Sequence, residues 1–254
     1  MNPLSPARAF VVRAGELAQL TAHIARAFVR HPWEWREWFR QAELIGVRSL
    51  GVASITTVFT GMVLALQTAY SLPDIGVKYY IGAVVSKSLV RELGPVLVAL
   101  IVGGRVGAGM TAELGTMKVT EQIDAMRSMA ADPVAKLVVP KMAATLVMLP
   151  TLAVLGNVLG ILGGLFIAAT QLNISGSFYL NDVLTTLTFN DVISCLGKSL
   201  AFAYFIALVG CYNGLRVTGG ADGVGRATTD TVVQASILIL VSDFFLTKLF
   251  ILIA

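Results

Sequence analysis

The hydrophobic pattern changes near residue 49, where long apolar stretches separated by short polar segments begin. A membrane-spanning helix needs about 20 mainly apolar residues. Five stretches meet this length: 50–72, 81–104, 138–172, 192–215 and 231–254. The pattern predicts an all-α integral membrane protein with five transmembrane helices in one domain over residues 49–254. Because the number of spans is odd, the two termini should lie on opposite sides of the membrane.

The third stretch is longer than a membrane requires. Residues 142–172 contain no charge, and as a helix they would measure ~46 Å, against a hydrocarbon core of ~30 Å. We expect this helix to tilt, to bend at Pro150 or to extend beyond the membrane. Glycines spaced by four predict seams where helices approach closely, although glycine is also common in membrane helices generally: Gly156, Gly160 and Gly164, and Gly103 and Gly107.

The first 48 residues have a different, amphipathic pattern. At 100° per residue the apolar positions fall within roughly 40° of arc: Phe10, Leu17, Ile24 and Phe28. All the tryptophans follow within six residues, at Trp33, Trp35 and Trp38, and tryptophan prefers the headgroup level of a membrane. Segment 1–48 is predicted to form one or two helices in the cytoplasmic interface, with the tryptophans as anchors. A small soluble domain is the weaker alternative, since ~40 residues rarely form a core.

Charge is scarce and unevenly placed. Charged residues make up 13% of the chain, about half the ~25% of soluble domains, which argues against a soluble enzyme. The apolar content excludes a disordered chain and argues against a nucleic-acid binder. Alternate connections hold seven, five and two Lys or Arg, whereas the other two together hold only Lys78. The positive-inside rule therefore predicts a cytoplasmic N-terminus and a periplasmic or external C-terminus.

Motifs for nucleotide or hydrolytic chemistry are missing from the sequence. No GxxxxGK[ST] motif occurs, and the glycine-rich segment 219–226 lacks the lysine of a phosphate-binding loop. Both histidines lie in the N-terminal segment, so no span can hold a Ser-His dyad, and HExxH is absent. The two cysteines lie in one apolar stretch without metal-ligand spacing. These absences predict a non-catalytic chain without a cofactor or metal of its own.

The most informative residues are charges inside the predicted spans. Arg91 and Glu92 lie in the second span, and Pro95 should kink that helix and remove a hydrogen bond from the carbonyl of Arg91. Lys198 is the charge of the fourth span. Such charges usually face a bundle interior or a wet cavity. Two compatible interpretations remain open: a Glu92–Lys198 ion pair, or a polar wall of a substrate path. Two further charges can reach the interface by snorkelling and are less informative: Asp243 and Lys248.

The cytoplasmic connection at about 111–135 contains a predicted short helix. Thr120 can cap it, Glu121 would lie in its first turn, and Pro133 would stop its continuation. An apolar side and acidic ends suit docking into a groove of a soluble partner. The alternative is a helix lying on the membrane, but the mixed charges and the lack of Trp or Phe disfavour it. The apolar side comprises Met117, Ile123, Met126 and Met129.

Seven short motifs make the chain similar to the MlaE/YrbE permease family. They are 91–95 (RELGP), 104–107 (GRVG), 111–117 (TAELGTM), 120–126 (TEQIDAM), 131–133 (ADP), 225–229 (GRATT) and 243–247 (DFFLT). The likeness covers about residues 45–254, whereas the N-terminal 40 residues match only in character.

The resemblance implies a homodimeric permease subunit of an ABC transporter in the bacterial inner membrane. Such subunits move phospholipids between inner and outer membranes and so maintain outer-membrane lipid asymmetry. It implies a separate cytoplasmic ATPase that binds ATP and Mg, a periplasmic MCE-domain lipid-binding protein and, in some systems, a STAS-domain protein. Nucleic acid is not an expected partner.

Residue roles follow from the same resemblance. Arg91, Glu92 and Lys198 should shape the lipid path, and Pro95 should set the helix kink beside them. The ATPase should act on a coupling helix formed by Glu121, Gln122, Ile123, Asp124, Ala125 and Met126. Two other classes remain as alternatives: a secondary transporter of small solutes, which would more often show an inverted repeat, and a membrane scaffold without transport.

Overall fold

The computed structural model describes residues 4–30, 34–71 and 80–253, and every regular element among them is helical. Side chains are described for 11–29, 34–71 and 80–252. The α-helices are α1 Leu4–Arg30, α2 Trp35–Ala42, α3 Arg48–Ser71, α4 Ile81–Ser88, α5 Gly94–Val102, α6 Ala108–Val119, α7 Gln122–Ser128, α8 Val139–Thr170, α9 Gly176–Thr186, α10 Phe189–Leu215 and α11 Gly220–Ile253.

Short π-helical turns join several of these elements into longer rods. Within the described residues, five helices are long and apolar enough to cross a membrane. We call them spans 1 to 5: Trp35–Ser71, Ile81–Val119, Val134–Thr170, Phe189–Leu215 and Gly220–Leu252. The prediction of five spans is confirmed. Span 2 has 39 residues, or ~58 Å as a helix, so its polar end extends beyond a ~30 Å hydrocarbon core.

Glycine contacts hold spans 1 and 3 together. A Cβ on Gly61 would collide with the carbonyl of Gly160, and one on Gly156 would come within 2.9 Å of Thr57. A Cβ on Gly164 would lie 3.4 Å from the carbonyl of Gly61 in span 1 and 3.0 Å from Val85 in span 2. The predicted seam at 156, 160 and 164 is therefore present, because only glycine lets these backbones approach so closely. It lies within one copy of the chain, so it gives no evidence for association of two copies.

Span 3 accommodates its length without a break. Helix α8 runs continuously through Pro150, and it contributes to the main core with α5 and α10. Val98, Phe202 and Ile206 are among the fully buried side chains there. Spans 1 and 5 form outer faces with rows of exposed apolar side chains, which suit lipid or a second membrane chain: Val52, Ile55, Phe59 and Val63, and Val233, Ile237, Leu240 and Phe244.

The amphipathic helix α1 packs on the bundle by one side. Ile24 and Ala27 are buried, while Val12 and Val29 are exposed. Polar contacts fix it to three other elements: Thr21 to Tyr204 (2.6 Å), His23 to Asp132 (2.8 Å), and Glu16 to Tyr212 (2.6 Å) and Arg216. These contacts tie α1 to both predicted cytoplasmic connections.

The tryptophan cluster lies at the start of span 1. Span 1 begins at Trp35, so Trp35 and Trp38 lie on its first turns, 15 and 12 residues before the apolar stretch that starts at residue 50. Trp35 is exposed, whereas Trp38 is half-buried against the core. Trp33 lies outside the described residues. Among its described residues, segment 1–48 therefore consists of α1 and the N-terminal turns of the first spanning helix.

Candidate functional site

Three spans bring charged residues to the same depth. Glu92 lies 11 residues after the start of span 2, Lys198 nine after the start of span 4, and Asp243 ten before the end of α11. At 1.5 Å per residue these positions are ~14–17 Å from the same end of the bundle. The charges therefore meet well inside the hydrophobic part of the spans.

Lys198 is the centre of this cluster. Its side chain is 1% exposed, and its ammonium donates hydrogen bonds to the carboxylate of Glu92 (2.7 Å) and the hydroxyl of Thr247 (2.7 Å). Asp243 lies 3.1 Å away as a second carboxylate. The expected Glu92–Lys198 pair is present, and the many oxygen partners offset the cost of burying a lysine in lipid.

Pro95 explains a further bond of Lys198. Proline has no N–H, so Pro95 cannot donate to the carbonyl of Arg91, four residues earlier. The helix widens into a π-helical turn at Leu89–Leu93, and the Lys198 ammonium donates to the Arg91 carbonyl at 2.9 Å. The proline and the lysine thus act on the same backbone group.

Arg91 pairs with a residue that the sequence did not single out. Its guanidinium forms an ion pair with Asp191 at 2.6 Å, and the Asp191 side chain is fully buried. Asp191 also accepts hydrogen bonds from the backbone N–H and the hydroxyl of Thr188, which caps α10. The Thr-x-x-Asp spacing is a capping-box signal that could have located this carboxylate.

Asp243 and Thr247 belong to the 243–247 motif, but the sequence analysis did not assign them to this site. The sequence suggested that Asp243 reaches the interface by snorkelling, but it faces Lys198 inside the bundle, so that interpretation was wrong. Thr247, one turn later, accepts from Lys198 and donates to Glu92. Their spacing of four along an otherwise apolar helix was the available signal, since both must lie on one face.

The cluster has an open side next to an apolar groove. The Glu92 side chain is 42% exposed, and that of Arg91 is partly exposed. Leu93, the next residue, lines a groove of about 390 Å³ along α3, together with Ile55, Thr56, Phe59, Thr60, Val63 and Leu64. The charge cluster and the apolar groove are therefore linked through consecutive residues of span 2, and an amphipathic molecule requires both kinds of surface.

The loop helix between spans 2 and 3 starts later than expected. Glu121 precedes α7 with a left-handed backbone (φ 59°), and the Thr120 hydroxyl donates to the carbonyl of Thr116. The prediction that Thr120 caps this helix was therefore wrong, because its hydroxyl is bonded to the preceding helix. Pro133 does not stop α7 either: α7 ends at Ser128, and Pro133 directly precedes the first turn of span 3.

The six residues of the predicted coupling helix divide into an inner and an outer set. Ile123, one of the six, is fully buried, whereas Met129 beyond them is 73% exposed. The apolar residues of this helix therefore do not form the single apolar side that we expected. Asp124 forms ion pairs with Lys118 (2.7 Å) and Arg127 (3.0 Å), and the hydrogen bond from Lys118 holds the pKa of Asp124 below its ordinary value. Met126 is half-buried, and the exposed positions are Glu121, Gln122 and Ala125.

A second buried lysine stands near this loop. Lys141 is 1% exposed, and its ammonium donates to Glu113 at 2.6 Å. The pair joins spans 2 and 3 on either side of the loop. It was missed because Lys141 was counted only as a basic residue of a cytoplasmic connection.

Known proteins are similar in sequence to this chain over most of its length. A family model described as Permease MlaE matches residues 38–249. A probable ABC transporter permease protein of Rickettsia typhi is 45% identical over 210 residues, covering 83% of this chain and 81% of that protein. A counterpart from Synechocystis is 44% identical, covering 84% and 81%.

A plant protein is also similar. The protein named TRIGALACTOSYLDIACYLGLYCEROL 1, chloroplastic, of Arabidopsis thaliana is 32% identical over 246 residues, covering 97% of this chain and 70% of that protein. The match to the family model includes all seven motifs and most or all of each of the five spans. The chain belongs to the MlaE family of ABC transporter permeases, as its motifs indicated.

Proposed function

We propose that this permease moves phospholipids between the inner and outer membranes of a bacterium, as a homodimer driven by a separate ATPase. The observation that carries the proposal is the charge cluster around Lys198 beside the apolar groove on α3. A phospholipid has a charged headgroup and apolar chains, so it matches both parts. Arg91 and Glu92 would contact the headgroup, and Phe59 and Leu93 the chains.

The nature of the groove favours a lipid over a small polar solute. Its lining is apolar apart from two threonines, and a polar solute would gain little from such a surface. The name of the Arabidopsis relative includes a glycolipid, trigalactosyldiacylglycerol, which supports the same class of substrate. Maintenance of outer-membrane lipid asymmetry follows as the cellular role.

The ATPase would dock on residues 111–133. Glu121, Gln122 and Ala125 are exposed on one end of α7, while Ile123 is buried against the body of the protein. A movement of α7 caused by the ATPase would therefore be transmitted to the bundle through the packed side chain of Ile123. ATP and Mg would be bound by the ATPase, because this sequence holds no nucleotide-binding motif.

Two copies would enclose the lipid path. The groove on span 1 opens to the outside of one copy, and spans 1 and 5 carry exposed apolar rows that a partner copy can cover. In the proposed orientation the N-terminus is cytoplasmic, and the charge cluster lies toward the periplasmic side. An MCE-domain protein would receive lipid there, and a STAS-domain protein would bind the ATPase.

The experiment is isolation of the mildly solubilised complex, followed by mass spectrometry of its proteins and lipids. We expect a chain with a Walker A motif and phospholipid retained above the level of a control membrane protein. Retention of the ATPase without phospholipid would contradict the proposed substrate. Absence of any ATPase would contradict the proposed ABC assembly.

A further inference from the structure

A second cavity lies at the opposite end of the bundle from the charge cluster. It has a volume of about 170 Å³ and lies between α1, the start of span 1 and the start of span 3. Its walls are apolar at Ala27, Trp38, Ala135 and Pro140, and its rim carries Glu34, Asp132 and Lys136. We call it the α1 crevice. It is separate from the site described above.

The rim offers one available charge of each sign. Asp132 is already bonded to His23 (2.8 Å) and to the backbone N–H of Val134 (2.9 Å). The exposed side chains of Glu34 and Lys136 form no hydrogen bond or ion pair with another described residue. A ligand that carries both an anionic and a cationic group can therefore satisfy the two side chains at once.

The position of the crevice indicates where such a ligand comes from. Glu34 directly precedes span 1, and Lys136 lies in the first turn of span 3, so in the proposed orientation both lie at the cytoplasmic end of the bundle. Trp38 in its wall is a residue type that prefers the headgroup level. The volume slightly exceeds the ~150 Å³ cavity that holds a benzene-sized ligand, which fits a headgroup whose acyl chains remain in the membrane.

We propose that the α1 crevice binds the headgroup of an amine-bearing zwitterionic phospholipid from the cytoplasmic leaflet. The phosphate lies at Lys136, the primary ammonium donates to Glu34, and the glycerol end rests against Trp38. This inference depends on the membrane placement of the chain and not on the transported substrate. The bound lipid would hold α1 against the ends of spans 1 and 3.

The test uses Trp38 as a local probe in the full-length chain. Trp33→Phe and Trp35→Phe leave Trp38 as the single tryptophan. The protein, in neutral maltoside micelles, is titrated with phosphatidylethanolamine or phosphatidylglycerol brominated on the acyl chains. We expect saturable quenching, with phosphatidylethanolamine effective at about threefold lower mole fraction, as partly exposed charge pairs allow.

Four variants locate the contacts. Lys136→Gln should weaken quenching by both lipids, and Glu34→Gln should abolish the preference for phosphatidylethanolamine. Arg36→Gln and Glu43→Gln, which change exposed charges nearby but outside the crevice, should behave as the parent. Non-saturating quenching, a preference for phosphatidylglycerol, or equal behaviour of all four variants would overturn the proposal.

A final variant separates this inference from the proposed function. Glu92→Gln lies in the charge cluster, where Glu92 is partly exposed, and should impair transport while leaving quenching of Trp38 unchanged. Loss of quenching in Glu92→Gln would assign the signal to the central site and overturn the crevice proposal. Intact quenching in a chain that transports no phospholipid would instead contradict only the proposed function.

Discussion

Lys198 donates a hydrogen bond to the main-chain carbonyl of Arg91 at 2.9 Å. Pro95 cannot donate to this carbonyl because proline has no N–H. One buried ammonium therefore compensates for a helix distortion in span 2 and neutralises a carboxylate there. Because Asp243 and Thr247 also contact it, the same group joins spans 2, 4 and 5. A change at Lys198 should affect three helices.

The first prediction concerns the balance of charge in this cluster. Lys198→Met leaves Glu92 and Asp243 without their cation, and loss of a buried partner costs about 3–5 kcal/mol. Glu92→Gln should cost about 1 kcal/mol or less, because Asp243 remains beside Lys198 and Glu92 is partly exposed. Thermal unfolding in detergent measures both.

The triple variant Glu92→Gln, Asp243→Asn and Lys198→Met is the corresponding control. It removes all three charges, and neutral replacements of a buried ion pair are often tolerated. We expect its unfolding temperature to lie between those of the wild type and Lys198→Met. A triple variant less stable than Lys198→Met would show that these charges do not compensate one another.

The second prediction concerns ATPase docking. Glu121→Lys reverses an exposed charge at the start of α7 and should weaken ATPase association about tenfold, as loss of a close charge pair does. Glu121→Gly keeps the left-handed backbone (φ 59°), which glycine adopts without strain, and removes only the charge, so its effect should be smaller. Co-purification with the ATPase measures the difference.

The predicted coupling helix also includes Asp124. Because Asp124 already forms ion pairs with Lys118 and Arg127, Asp124→Lys should disturb the structure of the loop itself. If Glu121→Lys retained full ATPase while the loop remained folded, docking through this end of α7 would be excluded.

The third prediction concerns the glycine seam. Gly61→Leu places a side chain against the backbone of Gly160 and should destabilise the protein by at least about 1–3 kcal/mol, as overpacking does. Gly51→Leu on the same helix is the matched control, since a Cβ there meets no atom within 4 Å. Equal unfolding temperatures for the two variants would show that spans 1 and 3 are not in contact at this point.

The fourth prediction concerns the attachment of α1 at acid pH. Partial burial raises the pKa of Asp132, but the hydrogen bonds from His23 and Val134 outweigh it, so the pKa is below its ordinary value. A lowered pKa stabilises the folded state above the ordinary value of about 3.9 and loses that effect as the pH falls. The α1 contact should therefore persist from about pH 7 to 5 and loosen below about pH 4.

A spin label at exposed Val29, introduced as Val29→Cys, reports this contact, because both native cysteines are buried. Its mobility should rise only in the acid range. In Asp132→Asn the mobility should be high at every pH. A rise already between about pH 7 and 5, or no effect of Asp132→Asn, would contradict the role of this bond.

Sequence patterns were sufficient where one local rule decides the outcome. The spans followed from their apolar length, and the Glu92–Lys198 pair followed because charges in lipid require compensation. The glycine seam followed from spacing alone. In each case the alternative arrangements would cost so much free energy that few remain possible.

Other features depended on tertiary contacts that spacing cannot supply. The rotation of span 5, which turns Asp243 toward Lys198, is set by packing against spans 2 and 4. The Thr120 hydroxyl could bond either to the N-terminus of α7 or to the preceding helix, and it donates to the Thr116 carbonyl of the preceding helix. The docking of α1 through His23 to Asp132 joins residues 109 positions apart, which no local pattern reveals.

The most direct test of the account is ATP-dependent transfer of labelled phospholipid from proteoliposomes that contain this permease and its ATPase to acceptor vesicles. The wild type should transfer phospholipid only with ATP. The triple variant Glu92→Gln, Asp243→Asn and Lys198→Met should fold and bind its ATPase but transfer at a rate at least about tenfold lower, because the headgroup contacts are lost. Transfer at the wild-type rate by the triple variant, or no ATP-dependent transfer by the wild type, would contradict the account.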